Sequence, residues 1–145
     1  MNDPGAIRRA LESAETVAVV GCSPDPGRPS NAIASYLLAH GYTVIPVNPE
    51  HGEILGRRCY GSLSEIPPET RLDIVNVFRR SECVASVAEE AISRKAGFFF
   101  MQQGVVDAEA AARLEKAGIP VAMDRCILVE HERLGIGPRV RNSKG

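Results

Sequence analysis

A strand, a glycine-bearing loop and the start of a helix follow one another directly in residues 17–33. The apolar run 17–20 is mostly β-branched and stops at Gly21. Pro, Ser and Gly residues then fill a loop, after which an apolar helical pattern begins. Glycine lets a backbone approach a ligand closely, and the unpaired N–H groups of a helix start carry partial positive charge. The segment therefore predicts a binding site for a phosphorylated cofactor.

Strands and helices alternate along the rest of the chain. We expect strands at 16–20, 43–47, 73–78, 98–101 and 120–123, with helical patterns between them. The strands are near-continuous apolar runs, which is typical of a parallel sheet covered by helices on both faces. Right-handed crossovers then give an α/β fold with a doubly wound, mainly parallel, five-stranded sheet. Ligands of such sheets bind at the carboxyl ends of the strands, near the topological switch point.

Several residues are suited to helix ends. Aspartate, serine and asparagine side chains accept hydrogen bonds from the first turn of a helix, and glycine commonly follows a last turn. We therefore expect N-caps at Asp3, Asp107 and Asp124, a cap at Ser30 or Asn31, and a helix end at His40-Gly41. The loop-rich stretch 50–71 is predicted to hold a short strand near 59–60 and a helical turn at 64–66.

Length and composition narrow the class of protein. A chain of 145 residues suits one domain, with a core of about residues 16–134 and a flexible tail at 137–145. A net charge of −1 argues against nucleic acid as a partner. Apolar runs are too short for a membrane helix, and the first residues do not resemble a signal peptide, so we expect a cytoplasmic protein. The four cysteines are widely spaced, which argues against a metal site and for free thiols.

The nature of the cofactor depends on a few strand-end residues. The dinucleotide fingerprint is absent, because Cys, Ser and Pro follow Gly21. Asn48 stands where a protein that binds NAD usually carries a carboxylate for the ribose hydroxyls. Arg28 and Arg79 suit an anionic ligand, since guanidinium groups bind phosphate through paired hydrogen bonds. These residues disfavour a nicotinamide cofactor but leave it open.

Four separated segments occur in an order that resembles a known family. They are GCSPDPGRPSNAIASYLLAHGYTVIPVNP, DIVNVFRRSE, FMQQGV and MDRCILVEH. Over roughly residues 16–134 they look like the stand-alone CoA-binding domain proteins, which are similar to the CoA-binding domain of the succinyl-CoA synthetase α-subunit. The resemblance implies a Rossmann-like fold and coenzyme A as the ligand.

The resemblance also implies roles for individual residues. A first group would hold the diphosphate: Gly21, Cys22, Ser23, Arg28 and Ser30. A second group would line the adenosine side: Asn48, Pro49, Val77, Phe78 and Arg79. Gln102 and Gly104 would complete the far wall of the site. Cys22 has two interpretations, a reactive thiol beside a helix start or a small buried residue where the family commonly has alanine.

No group of residues points clearly to catalysis. Gln102 is neutral, and His131 falls on the apolar face of the last predicted helix, where a packed histidine is expected. The spacing of Cys126 and His131 does not by itself bring a thiol and a base together. We therefore expect a protein that binds coenzyme A or an acyl-CoA without evident catalysis of its own. The alternatives are a redox protein that binds NAD(P) and a subunit that supplies CoA to a partner acid–CoA ligase, with that partner unknown.

Overall fold

The protein has an α/β fold, which a computed structural model describes for residues 1–138. The helices are α1 (Pro4–Ser13), α2 (Pro29–Ala39), α3 (Val84–Ser93), α4 (Ala108–Lys116) and α5 (Ile127–Arg133). The strands are β1 (Thr16–Val20), β2 (Thr43–Val47), β3 (Glu53–Ile54), β4 (Arg57–Arg58), β5 (Ile74–Val77), β6 (Phe98–Met101) and β7 (Val121–Met123). Most of the tail that was expected to be flexible, residues 139–145, lies outside the described residues.

Five of these strands form one parallel sheet in the order β2-β1-β5-β6-β7, while β3 and β4 make a small antiparallel hairpin. The chain first moves outward from β1 to β2 and then returns past β1 to β5. The direction of winding therefore changes between β1 and β5, and this boundary is the topological switch point. The predicted doubly wound, Rossmann-like architecture is confirmed.

Two apolar layers cover the sheet. Val17 and Val19 of β1 face a layer built with α1, α2 and α5, whereas Ala18 and Val20 face a layer built with α3 and α4. Every residue of β5 and β6 is buried, as expected when helices cover both faces. This explains why the strands appear in the sequence as continuous apolar runs.

Of the four predicted N-caps, two are confirmed and two are wrong. The carboxylates of Asp3 and Asp107 accept hydrogen bonds from Ala6 N–H (3.1 Å) and Ala110 N–H (3.0 Å), so both predicted caps are confirmed. The predicted cap at Ser30 or Asn31 is wrong, because α2 begins at Pro29 and Arg28 stands at the cap position. Proline suits the first position of a helix, since the first N–H groups of a helix have no partner within it. Asp124 does not cap α5, which begins three residues later.

Residues 48–72 contain less regular structure than the rest. A single parallel bridge joins Tyr60 to Val47, where a short strand was expected near 59–60. A short 3-10 helix spans Leu63–Glu65, so it is shifted by one residue from the helical turn predicted at 64–66.

The chain start pairs with the outer strand of the sheet. The amide group of Asn2 donates to the carbonyl of Met123 at 3.1 Å and accepts from its N–H at 2.6 Å, and the backbone N–H of Asn2 donates to the carbonyl of Val121 at 2.9 Å. Asn2 thus occupies the place of a further strand beside β7.

Candidate functional site

Gly21 lies where the ends of three strands meet. Its N–H donates to the carbonyl of Val47 at 2.8 Å, and its φ is +85°. A Cβ atom at this position would stand 3.1 Å from the backbone oxygen of Phe78. Both the left-handed backbone and the close approach of the loop after β5 therefore favour glycine here.

The loop after Gly21 is fastened to the first turn of α2. Ser23 N–H donates to the hydroxyl of Ser30 at 2.9 Å, and the Asn31 side chain donates to the carbonyl of Ser23 at 2.9 Å. Ser30 and Asn31, which were expected to cap the helix, are buried and bind the loop instead. The Asp25 carboxylate accepts from Gly27 N–H at 2.9 Å, so the loop is also ordered from within. Its shape is formed before any ligand arrives, which lowers the entropy cost of binding.

Two arginines flank the switch point. Arg28 is exposed and immediately precedes α2, where its carbonyl accepts from the N–H groups of Asn31 and Ala32 at 3.1 Å. Arg79 is half-buried and directly follows Phe78 at the end of β5. Both arginines therefore belong to strand-end loops of the candidate site.

Cys22 is a buried residue and not an activated thiol. Its exposed fraction is 0%, and burial, with a smaller contribution from the nearby Cys59 thiol, raises the pKa of Cys22 to about 11. The structure therefore favours the interpretation of Cys22 as a small buried residue over that of a reactive thiolate, because burial disfavours the charged form of a thiol. Burial likewise raises the pKa of Cys59, against a smaller lowering effect of its hydrogen bond to Asn48.

Asn48 uses both ends of its amide on the protein itself. Its Nδ2 donates to the carbonyl of Cys22 at 2.9 Å, and its Oδ1 accepts from Glu50 N–H at 2.9 Å. Pro49 follows on the surface. Asn48 thus joins the end of β2 to the loop after β1.

A first cleft opens at the ends of β1 and β2. It has a volume of about 450 Å³ and is called here the β2-side cleft. Val20 and Val47 are among its lining residues, together with Gly61, Ser62, Arg79, Cys83, Ser86, Val87 and Glu90. Sequence reasoning found Arg79 but missed Gly61, Ser62 and Glu90, since nothing in an irregular loop or on the polar side of α3 marks them.

A second cleft of about 350 Å³, the β6-side cleft, is lined by Pro29, Phe78, Gln102, Gln103 and Val105. Gln102 has an exposed fraction of 7%, and its Oε1 has no hydrogen-bond partner among residues 1–138. A buried acceptor without a partner is costly, so a donor from a ligand in this cleft would be stabilising. Val77, the neighbour of Phe78, is buried in the core and accepts from Gln102 N–H at 3.2 Å.

Gly104 connects the end of β6 to the end of β7. It has a φ of +89°, and its N–H donates to the Asp124 carboxylate at 2.7 Å. This contact explains the error in the Asp124 prediction, because the side chain holds a neighbouring loop and not a helix start. Another groove, about 320 Å³ between α3 and α4, lies away from the strand ends and is bordered by the Arg113–Glu89 ion pair.

His131 belongs to an aromatic cluster and not to the strand-end site. Its Nδ1 shares a hydrogen bond of 2.8 Å with the Tyr36 hydroxyl, and its ring lies 5.0 Å from that of His40. Burial, followed by the like charge of His40, lowers the pKa of His131, against an opposing effect of Glu132. His40 lies at the end of α2 as predicted, and its Nδ1 lies 2.8 Å from the carbonyl of Tyr36.

Neither a metal-ligand cluster nor a membrane-spanning helix is present among the described residues. Among residues 1–138 there is no group of three or more His, Cys, Asp or Glu side chains that could hold a metal ion. Over the same range, no helix is long and apolar enough to cross a membrane. All four cysteines are free.

Residues 15–132 match the family model described as CoA binding domain. The chain is 44% identical over 125 residues to the uncharacterized protein YneT of Bacillus subtilis (strain 168), a match that covers 86% of this chain and 91% of that protein. It is 32% identical over 123 residues to the ADP-forming acetate–CoA ligase I of Archaeoglobus fulgidus, covering 78% of this chain and 18% of the ligase. A solved structure of a hypothetical protein from Pyrococcus horikoshii OT3 superposes with a TM-score of 0.86 at 37% identity, covering 91% of this chain and 92% of that one.

Proposed function

The chain belongs to the CoA-binding domain family, and we propose that it binds coenzyme A or an acyl-CoA at the carboxyl ends of β1, β2, β5 and β6. One observation carries the proposal. The preformed loop between Gly21 and Arg28 lies at the switch point of the sheet, where α/β proteins bind their ligands. Residues 15–132, which contain this loop, match the family as a whole.

The diphosphate of CoA would lie on this loop. Gly21 allows the backbone to approach the ligand, while Cys22 and Ser23 continue the loop. Ser30 holds the loop to α2, whose N-terminus favours negative charge. The exposed guanidinium of Arg28 is free to turn toward a phosphate, with which it would form a charge-assisted hydrogen bond.

The adenosine part would lie toward the β2-side cleft. Apolar Val20 and Val47 suit a base, and Arg79 suits the phosphate on the ribose of CoA. Asn48 and Pro49 would line the outer side, and Phe78 would separate this part from the β6-side cleft. Because the amide of Asn48 is engaged by Cys22 and Glu50, it is not available to chelate ribose hydroxyls as an NAD-binding carboxylate does.

The pantetheine arm would run into the β6-side cleft. The arm carries two amide N–H groups, and one of them would donate to the unpaired Oε1 of Gln102. Gly104 would form the far wall, held in place by Asp124. Gln102 is neutral and transfers no proton, and the His131 cluster lies apart, so we propose binding without catalysis by this chain.

Native mass spectrometry and a thermal-shift panel test the proposal together. A co-purified ligand would be identified by its mass, and CoA and acetyl-CoA would raise the melting temperature. At a hundred times the dissociation constant, a ligand stabilises the folded state by about 2.7 kcal/mol. A shift with NAD(H) or NADP(H) and none with CoA would overturn the proposal in favour of a nicotinamide redox protein.

A second candidate function is supply of CoA to a partner ligase. The similarity to an ADP-forming acetate–CoA ligase favours it, because this chain corresponds to only 18% of the length of that ligase. Under this proposal the chain alone would not form acetyl-CoA from acetate, CoA and ATP. Activity that appears only when a separate ligase subunit is added would support it, and turnover by this chain alone would contradict it.

A further inference from the structure

Arg94 connects α3 to the loop on the opposite side of the β2-side cleft. Its guanidinium donates to the backbone carbonyls of Leu63 (2.5 Å), Ile66 (2.9 Å), Pro67 (3.0 Å) and Thr70 (3.2 Å). The backbone N–H of Arg94 donates to the carbonyl of Glu90 at 2.9 Å, so the backbone of Arg94 is fixed to the end of α3. One side chain therefore fastens the irregular segment 63–70 to a helix.

The two structures that Arg94 joins are the two walls of the cleft. Gly61 and Ser62 precede the fastened segment on one side, and Ser86 and Glu90 of α3 stand on the other. A second connection runs parallel to the first, since the Ser64 hydroxyl donates to the Glu90 carboxylate at 2.7 Å. The distance between the two walls is thus set by Arg94 and by the Ser64–Glu90 hydrogen bond.

The wall at Gly61 and Ser62 is also held from its other end. Tyr60 N–H donates to the carbonyl of Pro46 at 3.1 Å, and Asn48 N–H donates to the carbonyl of Tyr60 at 2.8 Å. Gly61 N–H donates to the Glu65 carboxylate at 3.0 Å. While β2 holds one end, Arg94 holds the other, together with the Ser64–Glu90 hydrogen bond and the buried side chains of Leu63 and Ile66.

We infer that Arg94 is a positioning residue for the adenosine part of the ligand: it sets the width of the β2-side cleft by holding segment 63–70 against α3, with the Ser64–Glu90 hydrogen bond as a second connection. This inference rests on the proposed function. Lysine is a poor replacement, because a compact ammonium has three donors and cannot reproduce the planar fork that reaches four carbonyls.

The experiment divides the ligand into its parts. Dissociation constants are measured by NMR titration for CoA, for adenosine 3′,5′-bisphosphate and for 4′-phosphopantetheine, with the wild type, Arg94→Lys and Arg113→Lys. Arg113 is the matched control, because it also contacts α3, through Glu89, but does not border the β2-side cleft. We expect Arg94→Lys to bind CoA and the bisphosphate about tenfold more weakly, and phosphopantetheine and the control to be unchanged.

Each outcome decides the inference. Unchanged binding of the bisphosphate by Arg94→Lys overturns it, and so does an equal loss for all three ligands, which would indicate a general loss of structure. If the wild type binds no CoA, the proposed function fails first. If Arg94→Lys does not fold, Ser64→Ala takes its place, because Ser64 is exposed. Bisphosphate binding weakened by about threefold would then support the inference, and unchanged binding would overturn it.

Discussion

Replacing Gly21 with alanine tests the reasoning about the switch point most directly. The change adds one methyl group to a backbone with a φ of +85°. A left-handed conformation costs an L-residue about 1–2 kcal/mol, of which about 0.4–1 kcal/mol is offset because alanine restricts the unfolded chain. The new Cβ would also stand 3.1 Å from the oxygen of Phe78, a backbone atom that cannot rotate away. Crowding of this kind costs about 1–3 kcal/mol.

Gly118→Ala is the matched control. Gly118 has a φ of +88°, and no atom of the described part of the chain lies within 4 Å of an added Cβ, so only the backbone cost applies. We expect the free energy of unfolding to fall by about 2–4 kcal/mol for Gly21→Ala and by about 1 kcal/mol for Gly118→Ala. Urea denaturation of both variants measures the difference, and titration with CoA shows whether only Gly21→Ala loses binding. Equal destabilisation by the two changes would refute the argument from close approach.

Three further predictions concern the arginines, the thiols and the histidine. Arg28→Ala and Arg79→Ala should each weaken CoA binding roughly 10- to 100-fold in calorimetric titration, since a charge-assisted contact is worth about 1.5–3 kcal/mol; unchanged affinity in both would remove their assignment to the phosphates. Iodoacetamide at neutral pH should modify the native protein at exposed Cys83 and not at buried Cys22, and peptide mass analysis would show which thiol is labelled. Early labelling of Cys22 would contradict its raised pKa. Folding lowers the pKa of His131, so the unfolded chain takes up the proton at a higher pH than the folded chain does. The contribution of His131 to the free energy of unfolding should therefore be complete above the unfolded pKa of about 6.5 and should fall as the pH drops below it. Denaturation at pH 5 and pH 8 measures this, and a His131→Gln variant with the same pH dependence would argue against it.

The sequence was sufficient where the physical cause is local or simply periodic. The five apolar runs predicted the strands because both faces of this sheet are buried. Asp3 and Asp107 predicted helix starts because a cap bonds to residues only three positions away. At the site, Gly21 was found because a strand-to-helix loop needs a permissive residue at its bend.

The remaining features depend on contacts between distant segments. Asp124 has the same side chain as the two confirmed caps, but its partner, Gly104, lies 20 residues away, and nothing nearby in the sequence indicates it. Arg94 binds backbone carbonyls, which every residue possesses, so its partners leave no pattern in the sequence. The acidity of Cys22 is governed by burial, which is known only after the chain has folded.

The pairing of Asn2 with β7 has a consequence for how molecules of this protein meet. An outer strand with unpaired N–H and C=O groups is a template on which another chain can add a strand and begin to aggregate. Asn2 occupies those groups at Val121 and Met123, and on the opposite border Tyr60 pairs with Pro46 and Asn48 of the β2 segment. A second copy would have to displace these residues before the sheet could extend from one molecule into the next. Association through the helical faces requires no such displacement, so molecules that keep these contacts are not expected to join by extending the main sheet.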